Sequence, residues 1–269
     1  MNHVAAERLR RDTMVLRMAR EVPDGAVCVR GLGTPLSSVA IAFAREGLGR
    51  RIWVVSTEGG DASLDGGGIG LSPELRRARP RLVSFAELIL EIVPRYQPFE
   101  LMRPAQLDGQ GRSNNVRIDR PGGDLLLPGC GGIADATSVN GSLVYYLPRH
   151  DRRSLVAAVD FASGAGRSRA TAGLPRVPRC VITDMCVLTW SPGRATVESL
   201  HPGVTPDDVA RATTFAVAIP DGCPRTDAPT ADDLAALDRV DPHRLRDLEF
   251  LRGEERSGAL RRAVSPAPA

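Results

Sequence analysis

The sequence predicts an α/β protein with α/β/α layering, built around a largely parallel or mixed sheet. Three observations carry this. Short apolar runs of Val, Ile, Leu and Ala alternate with stretches of helical periodicity, the first of these complete a strand, turn, helix, strand unit, and no internal repeat or low-complexity linker divides the chain. A parallel sheet needs such crossovers, and its strands read as short continuous apolar runs. Residues 4–21 place Ala5, Leu9, Leu16 and Ala19 on one helical face, and Pro23-Asp24-Gly25 stops that helix. Residues 26–29 form the first strand, Gly31 to Pro35 a turn, 36–46 a helix closed by Gly47, and 52–56 a buried strand. The glycine-rich stretch 59–80 reads as a long loop after that strand. Further strands are expected at 99–105, 124–127, 143–147, 154–160, 180–189 and 194–200, and helices at 85–93, 205–212, 231–240 and 242–252. One domain is expected over 1–256, with 257–269, ending Ser-Pro-Ala-Pro-Ala, as a disordered tail.

Composition narrows the function. The chain has 269 residues, long enough to bury a substantial core. All 35 of its positive side chains are arginine, so a Schiff-base lysine, a P-loop lysine and an amine general base are excluded. Against 32 acids the net charge is only +3 and spread along the chain, which is not the footprint of a nucleic-acid binder. Aromatic content of 4% leaves little material for base-stacking platforms. No run of about 18 apolar residues is present, and residues 1–21 mix arginines with acids instead of carrying an apolar signal core, so a cytoplasmic protein without a membrane span is expected. The cysteines, Cys28, Cys130, Cys180, Cys186 and Cys223, lack the paired spacings of a zinc site and read mostly as reduced core residues. His3, His150, His201 and His243 are scattered, so neither a serine triad nor a histidine metal cluster is visible.

Two glycine-rich segments stand where chemistry can sit. In Trp53-Val54-Val55-Ser56-Thr57-Glu58-Gly59-Gly60 an acid follows directly on the carboxyl end of a buried strand, the end at which open α/β sheets bind ligands. Glycines after the acid let the backbone approach a ligand and turn N–H groups toward developing negative charge. Glu58 can therefore attack a carbonyl; by spacing alone it can equally cap or salt-bridge a loop. Pro128-Gly129-Cys130-Gly131-Gly132-Ile133-Ala134-Asp135 joins a strand to a helix and reads either as an oxyanion or phosphate cradle or as a tight turn. A third segment, Pro104 to Asn115, reads as a turn in which Asp108 and Asn114 bond the local backbone, and His201 at a helix entrance reads as a structural histidine.

Taken together and in order, these segments resemble the β subunit of the family I coenzyme A transferases. Glu58-Gly59-Gly60 is similar to that family's Glu-x-Gly motif, Ala105 to Asn114 to its Ala-Gln-aliphatic-Asp segment, Gly129-Cys130-Gly131-Gly132 with Asp135 to its glycine loop, and Arg179 to Asp184 with Glu198 to Thr205 to its closing strands and Pro-Gly-Val-Thr turn. Arg112 departs from the pattern, standing where asparagine is usual, and 59–80 lacks the usual continuation. Ala157 to Gly166, His201 to Val204 and Pro242 to Glu249 look more like the small subunit of the cholesterol ring-cleaving CoA hydrolase, in which the acting glutamate lies on the partner chain. A third branch of the scaffold decarboxylates an acyl-CoA. The resemblance implies Glu58 as nucleophile, Gly60 as an amide donor to the oxyanion, and Gly131 and Gly132 lining a CoA channel. It implies CoA and acyl-CoA as substrates and not a permanently bound cofactor, a carboxylate acceptor, and a separate α subunit with its own glycine-rich CoA segment.

Overall fold

A computed structural model describes residues 3–31, 33–56, 83–139, 142–166, 178–191 and 194–264. Among them the chain forms two compact units, one drawn from 1–92, 98–101 and 228–269, the other from 93–97 and 102–227. The fold is mixed α/β, with parallel strand pairs in both units.

In the first unit α1 (His3–Glu21) buries Met14, Val15, Met18 and Ala19. Its C-terminal carbonyls are capped by Arg50, whose guanidinium donates to Ala19 O at 3.1 Å, to Arg20 O at 3.0 Å and to Val22 O. β1 (Ala26–Arg30) follows the glycine turn at Gly25, where φ is +76°. Helix α2 (Pro35–Glu46) starts with proline at its first turn and packs Leu36, Val39, Ile41 and Phe43 inward. Thr34 makes no side-chain cap; the buried Glu249 carboxylate instead accepts the Leu36 N–H at 2.8 Å. β2 (Ile52–Ser56) runs parallel to β1 from Ala26↔Ile52 to Arg30↔Ser56, and β3 (Phe99–Met102) joins the other side of β1 in parallel, giving the order β3-β1-β2. The helical segment at 85–93 begins as α3 (Phe85–Glu87), capped by Ser84, and continues as a π-helix over Leu88–Ile92.

The rest of this unit departs twice from expectation. The helix read over 242–252 is only a 3-10 turn, Leu245–Asp247. Asp241 takes the N–H groups of Leu245 and Arg246 onto its carboxylate, and Arg244 is left-handed at φ +54°, so the α-helical ladder cannot propagate. The tail read as disordered from 257 instead carries α8 (Gly253–Val264), with Glu254 and Glu255 in its first turn and Arg261 and Arg262 in its last, the polarity that suits the helix dipole. Residues 265–269 lie outside the described residues. α7 (Ala231–Val240) forms where expected, with Thr230 and Asp233 in a reciprocal capping box.

In the second unit α4 (Val93–Tyr96) precedes a small sheet of β4 (Gln106–Asp108), β5 (Ser113–Asn114) and β9 (Leu155–Val156), and a hairpin of β6 (Arg117–Ile118) and β7 (Leu125–Leu126). The strand read over 99–105 therefore ends at Met102, before Pro104, and the one at 154–160 shortens to two residues. α5 (Ile133–Val139) leads to β8 (Leu143–Leu147), buried along its whole length. The apolar run 180–189 divides into β10 (Val181–Thr183), parallel to β8, and β11 (Cys186–Ser191), antiparallel to β10. Thr183 Oγ1 makes this corner by accepting the N–H groups of Met185 and Cys186 at 3.1 and 3.0 Å. β12 (Arg194–Leu200) completes the order β8-β10-β11-β12, with a bulge at Val187/Leu188. α6 (Pro206–Ala212) carries a second capping box, Thr205 with Asp208.

Candidate active site

The parallel register fixes the carboxyl ends of β1 and β2 side by side, with Arg30 opposite Ser56. Arg30 is buried there. Glu58 and Gly60 belong to 57–82 and lie outside the described residues. On β3 the register puts Glu100 beside Val29, and burial pushes its carboxyl up to about 7. Reading 99–105 as an apolar strand passes over this group; the signal is the single acid in Phe99-Glu100-Leu101-Met102.

In the second unit the fold draws four separate sequence segments together. Asp108, wholly buried, accepts the N–H groups of Gln110 and Arg112 and the Arg112 Nε at 2.7 Å. The turn read at 104–115 is thus a carboxylate wrapped by its own backbone, with Arg112 as the counter-ion. Gly166, at φ +60°, packs against this turn so closely that a Cβ would lie 2.7 Å from Arg112 N, and a Cβ on Gly164 would lie 2.3 Å from Ser113 Oγ. Gln106 links Asn114 to Asp160, accepting from Asn114 Nδ2 at 2.7 Å and donating to the Asp160 carboxylate at 2.8 Å. Asn115 then ties in the glycine loop: its carbonyl accepts the Gly129 N–H at 3.0 Å, and its side chain bonds Ala105 N and Arg103 O.

That loop turns on glycine backbone, with φ +107° at Gly129 and +50° at Gly131. A Cβ at either position would meet no atom within 4 Å, so backbone conformation and not crowding calls for glycine. Gly131 is exposed and Gly132 half-buried, both open to a ligand, while Cys130 next to them is also half-buried. The loop continues through Ala136 N–H to Gly132 O, at 2.8 Å, into α5.

At the carboxyl ends of β8 and β10 the fold places a buried network that sequence spacing does not reveal. His201 donates from Nε2 to Thr183 O at 2.8 Å, which fixes its tautomer and makes Nδ1 the acceptor for Thr226 Oγ1 at 2.9 Å. His150 Nδ1 lies 3.0 Å from Thr183 Oγ1, and Nε2 lies 2.8 Å from Thr213 Oγ1. Because Thr213 gives its own proton to Val209 O, it receives one from Nε2. Burial holds the His150 imidazole down to about 3, and His201 nearby adds to the effect, so the ring stays neutral. His201 is therefore structural, as its position suggests, and His150 joins it. The thiols of Cys28 and Cys186 are pushed up to about 12 by burial and are chemically quiet. No group of His, Cys, Asp and Glu among the described residues is arranged to hold a metal ion.

No family model matches the sequence. Over 248 residues, covering 84% of this chain and 90% of the relative, it is 29% identical to the β-type subunit of the 3-oxoadipate CoA-transferase of Pseudomonas knackmussii. The fold matches the crystal structure of the decarboxylase AibA/AibB with a TM-score of 0.75 and 25% identity, over 88% of this chain and 97% of that one. The chain belongs with the β-type subunits of the family I coenzyme A transferases. A third relative, the cholesterol ring-cleaving hydrolase IpdB subunit of Mycobacterium tuberculosis, is 36% identical over 121 residues, 42% of this chain and 48% of that protein. Among family I β-type features, the departure at Arg112 has a local explanation here, since the guanidinium neutralises the buried Asp108. No helix among the described residues is long and apolar enough to cross a membrane.

Proposed function

We propose that this chain is the β subunit of a heteromeric CoA transferase that moves CoA from an acyl-CoA to a carboxylic acid, acting in the cytoplasm with an α subunit as partner. The observation that carries this reading is the similarity to the β-type subunit of a CoA-transferase over 90% of that protein's length. Glu58 attacks the thioester carbonyl and expels CoA thiolate, leaving a mixed anhydride. The thiolate then attacks the glutamyl carbonyl, releases the first carboxylate and leaves a glutamyl-CoA thioester, from which a second carboxylate takes up CoA by the reverse steps. The Gly60 N–H faces the tetrahedral oxyanion, a donor worth about 3 kcal/mol when preorganised. Gly131 and Gly132 line the CoA channel, and arginines suit its phosphates. Residues 1–256 act as one β-type module. A carboxylate nucleophile with amide donors needs no lysine, which agrees with a chain that has none.

Incubating the assembled enzyme with acyl-CoA, trapping with borohydride and mapping by mass spectrometry should label Glu58, and Glu58→Gln should lower turnover by several orders of magnitude. Full activity without a label at Glu58 would overturn the assignment. The second reading is an acyl-CoA hydrolase or carbon–carbon lyase in which this chain shapes the pocket. It is favoured by the likeness to a ring-cleaving hydrolase subunit and to a decarboxylase. Under that reading Glu58→Gln keeps appreciable turnover.

A further inference from the structure

The β6–β7 hairpin carries an apolar surface that its own chain leaves open. Leu126 is 77% exposed and Leu125 37% exposed, on a hairpin whose register pairs Arg117 with Leu126 and Ile118 with Leu125. Consecutive strand residues point to opposite faces, so the two leucines present apolar side chains on both sides of the ribbon. A ribbon apolar on both faces suits insertion between two walls better than resting on one. Its backbone is built firmly enough to serve as an arm. The tip is a Pro-Gly turn, Arg120 to Gly123, closed by Gly123 N–H to Arg120 O at 3.2 Å with Gly122 at φ +90°. The base is held by Leu127 N–H to Val116 O at 2.8 Å and by Asn114 Nδ2 to Arg117 O at 2.6 Å. Arg117 pairs with Asp119 at 3.0 Å and Asp124 at 2.5 Å, so the charges along the ribbon largely satisfy one another and the leucines remain its distinguishing feature. An isolated two-stranded hairpin is at best marginally stable in water, and exposed paired leucines on one mark a surface meant to be covered.

We propose that this hairpin is the arm by which the chain inserts into its α subunit, with Leu125 and Leu126 as the anchors. The proposal rests on the heteromeric reading above. In that reading Gly131 and Gly132 line a CoA channel to which the α half adds its own glycine-rich segment, so the α half must come up to this loop. β7 runs directly into the loop: Leu126 is five residues from Gly131, a span of at most about 18 Å even if fully extended. An α subunit that closes the channel at Gly131 is therefore within reach of both faces of the ribbon, whereas a second copy of this chain would bring no such complementary segment. The leucines are too small an area to form a standard interface by themselves and act as its buried centre.

The test uses the full chain and the α-type subunit from the same genome. Leu125→Ser/Leu126→Ser should weaken their association, measured by isothermal titration calorimetry, by about 100-fold or more, while the isolated variant chain keeps the wild-type circular dichroism and melting temperature because both residues face solvent. A photo-crosslinking amino acid at position 126 should form an adduct with the α chain in the wild-type background. Unchanged affinity of the double variant, or adducts formed only with a second copy of this chain, would overturn the inference and leave the heteromeric reading intact. Failure of the wild-type chain to bind the α-type subunit at all would instead overturn the heteromeric reading, and the arm with it.

Discussion

The two units lock their long-range contacts by opposite electrostatic means. In the first, Arg246, 1% exposed, donates Nε to Asp12 at 3.0 Å, Nη1 to the Asp241 carboxylate at 3.1 Å and Nη2 to Asp238, joining α1, the C-cap of α7 and the 3-10 turn through charge. In the second, β10, β12, α6 and the segment through Thr226 are joined by neutral groups: Thr183, His150, Thr213, His201, Thr226 and Ser199 pass hydrogen bonds from one to the next. Both are buried and both are satisfied. The difference is what happens when one member changes. Removing the arginine strands buried carboxylates, whereas removing one hydroxyl strands a single neutral donor or acceptor. Acid also acts unequally, because the neutral lock contains a histidine that cannot take up a proton while folded.

Breaking the charged lock should therefore have the largest effect. Arg246→Leu leaves Asp12 and Asp241 buried without their counter-charge and should cost about 3–5 kcal/mol in urea unfolding, with the loss concentrated in exchange protection of α1 and α7. Acidification should come next. His150 is held at about 3 against an ordinary 6.5, so between those values the unfolded chain binds a proton that the folded chain does not. Stability from this group is complete above the unfolded value and declines as pH falls, by about 2 kcal/mol at pH 5. Urea titrations from pH 7.5 to 5 should show that slope, and His150→Gln should flatten it; an unchanged slope would show that His150 is not the group responsible. The smallest effect should follow Thr226→Val, which leaves His201 Nδ1 without its donor and should cost about 1 kcal/mol. If that single hydroxyl cost as much as Arg246, the contrast between the two locks would fail.

How much of this is legible in the sequence depends on the range of the interaction. Helix α1 ends where Pro23-Asp24-Gly25 says it must, and α7 begins where Thr230 and Asp233 form a capping box, because stop signals and caps act within four residues. The turn around Asp108 is readable for the same reason. The run 180–189 reads as one strand because apolar periodicity is blind to a two-residue corner, and only Thr183 bonding its own downstream backbone shows why the chain reverses there. The helix expected over 242–252 fails because Asp241 captures the N–H groups of Leu245 and Arg246. Of the candidate site, the glycine loop is a glycine-dependent turn at Gly129 and Gly131, whereas Glu58 and Gly60 are singled out by their place after β2 and by family resemblance alone.

The sequence by itself determined the alternation of helices and strands, the absence of any lysine chemistry, and the positions of the motifs that resemble a CoA-transferase β subunit. Only the tertiary structure decided which distant residues meet. Arg246 finds Asp12 across 234 positions and Leu36 N–H finds Glu249 across 213, while His150 and Thr213 close a gap of 63. The physical reason is that local periodicity specifies which face of each element is apolar, but the polar partners buried beneath those faces are chosen by how the elements are stacked. That choice is made by the whole chain at once.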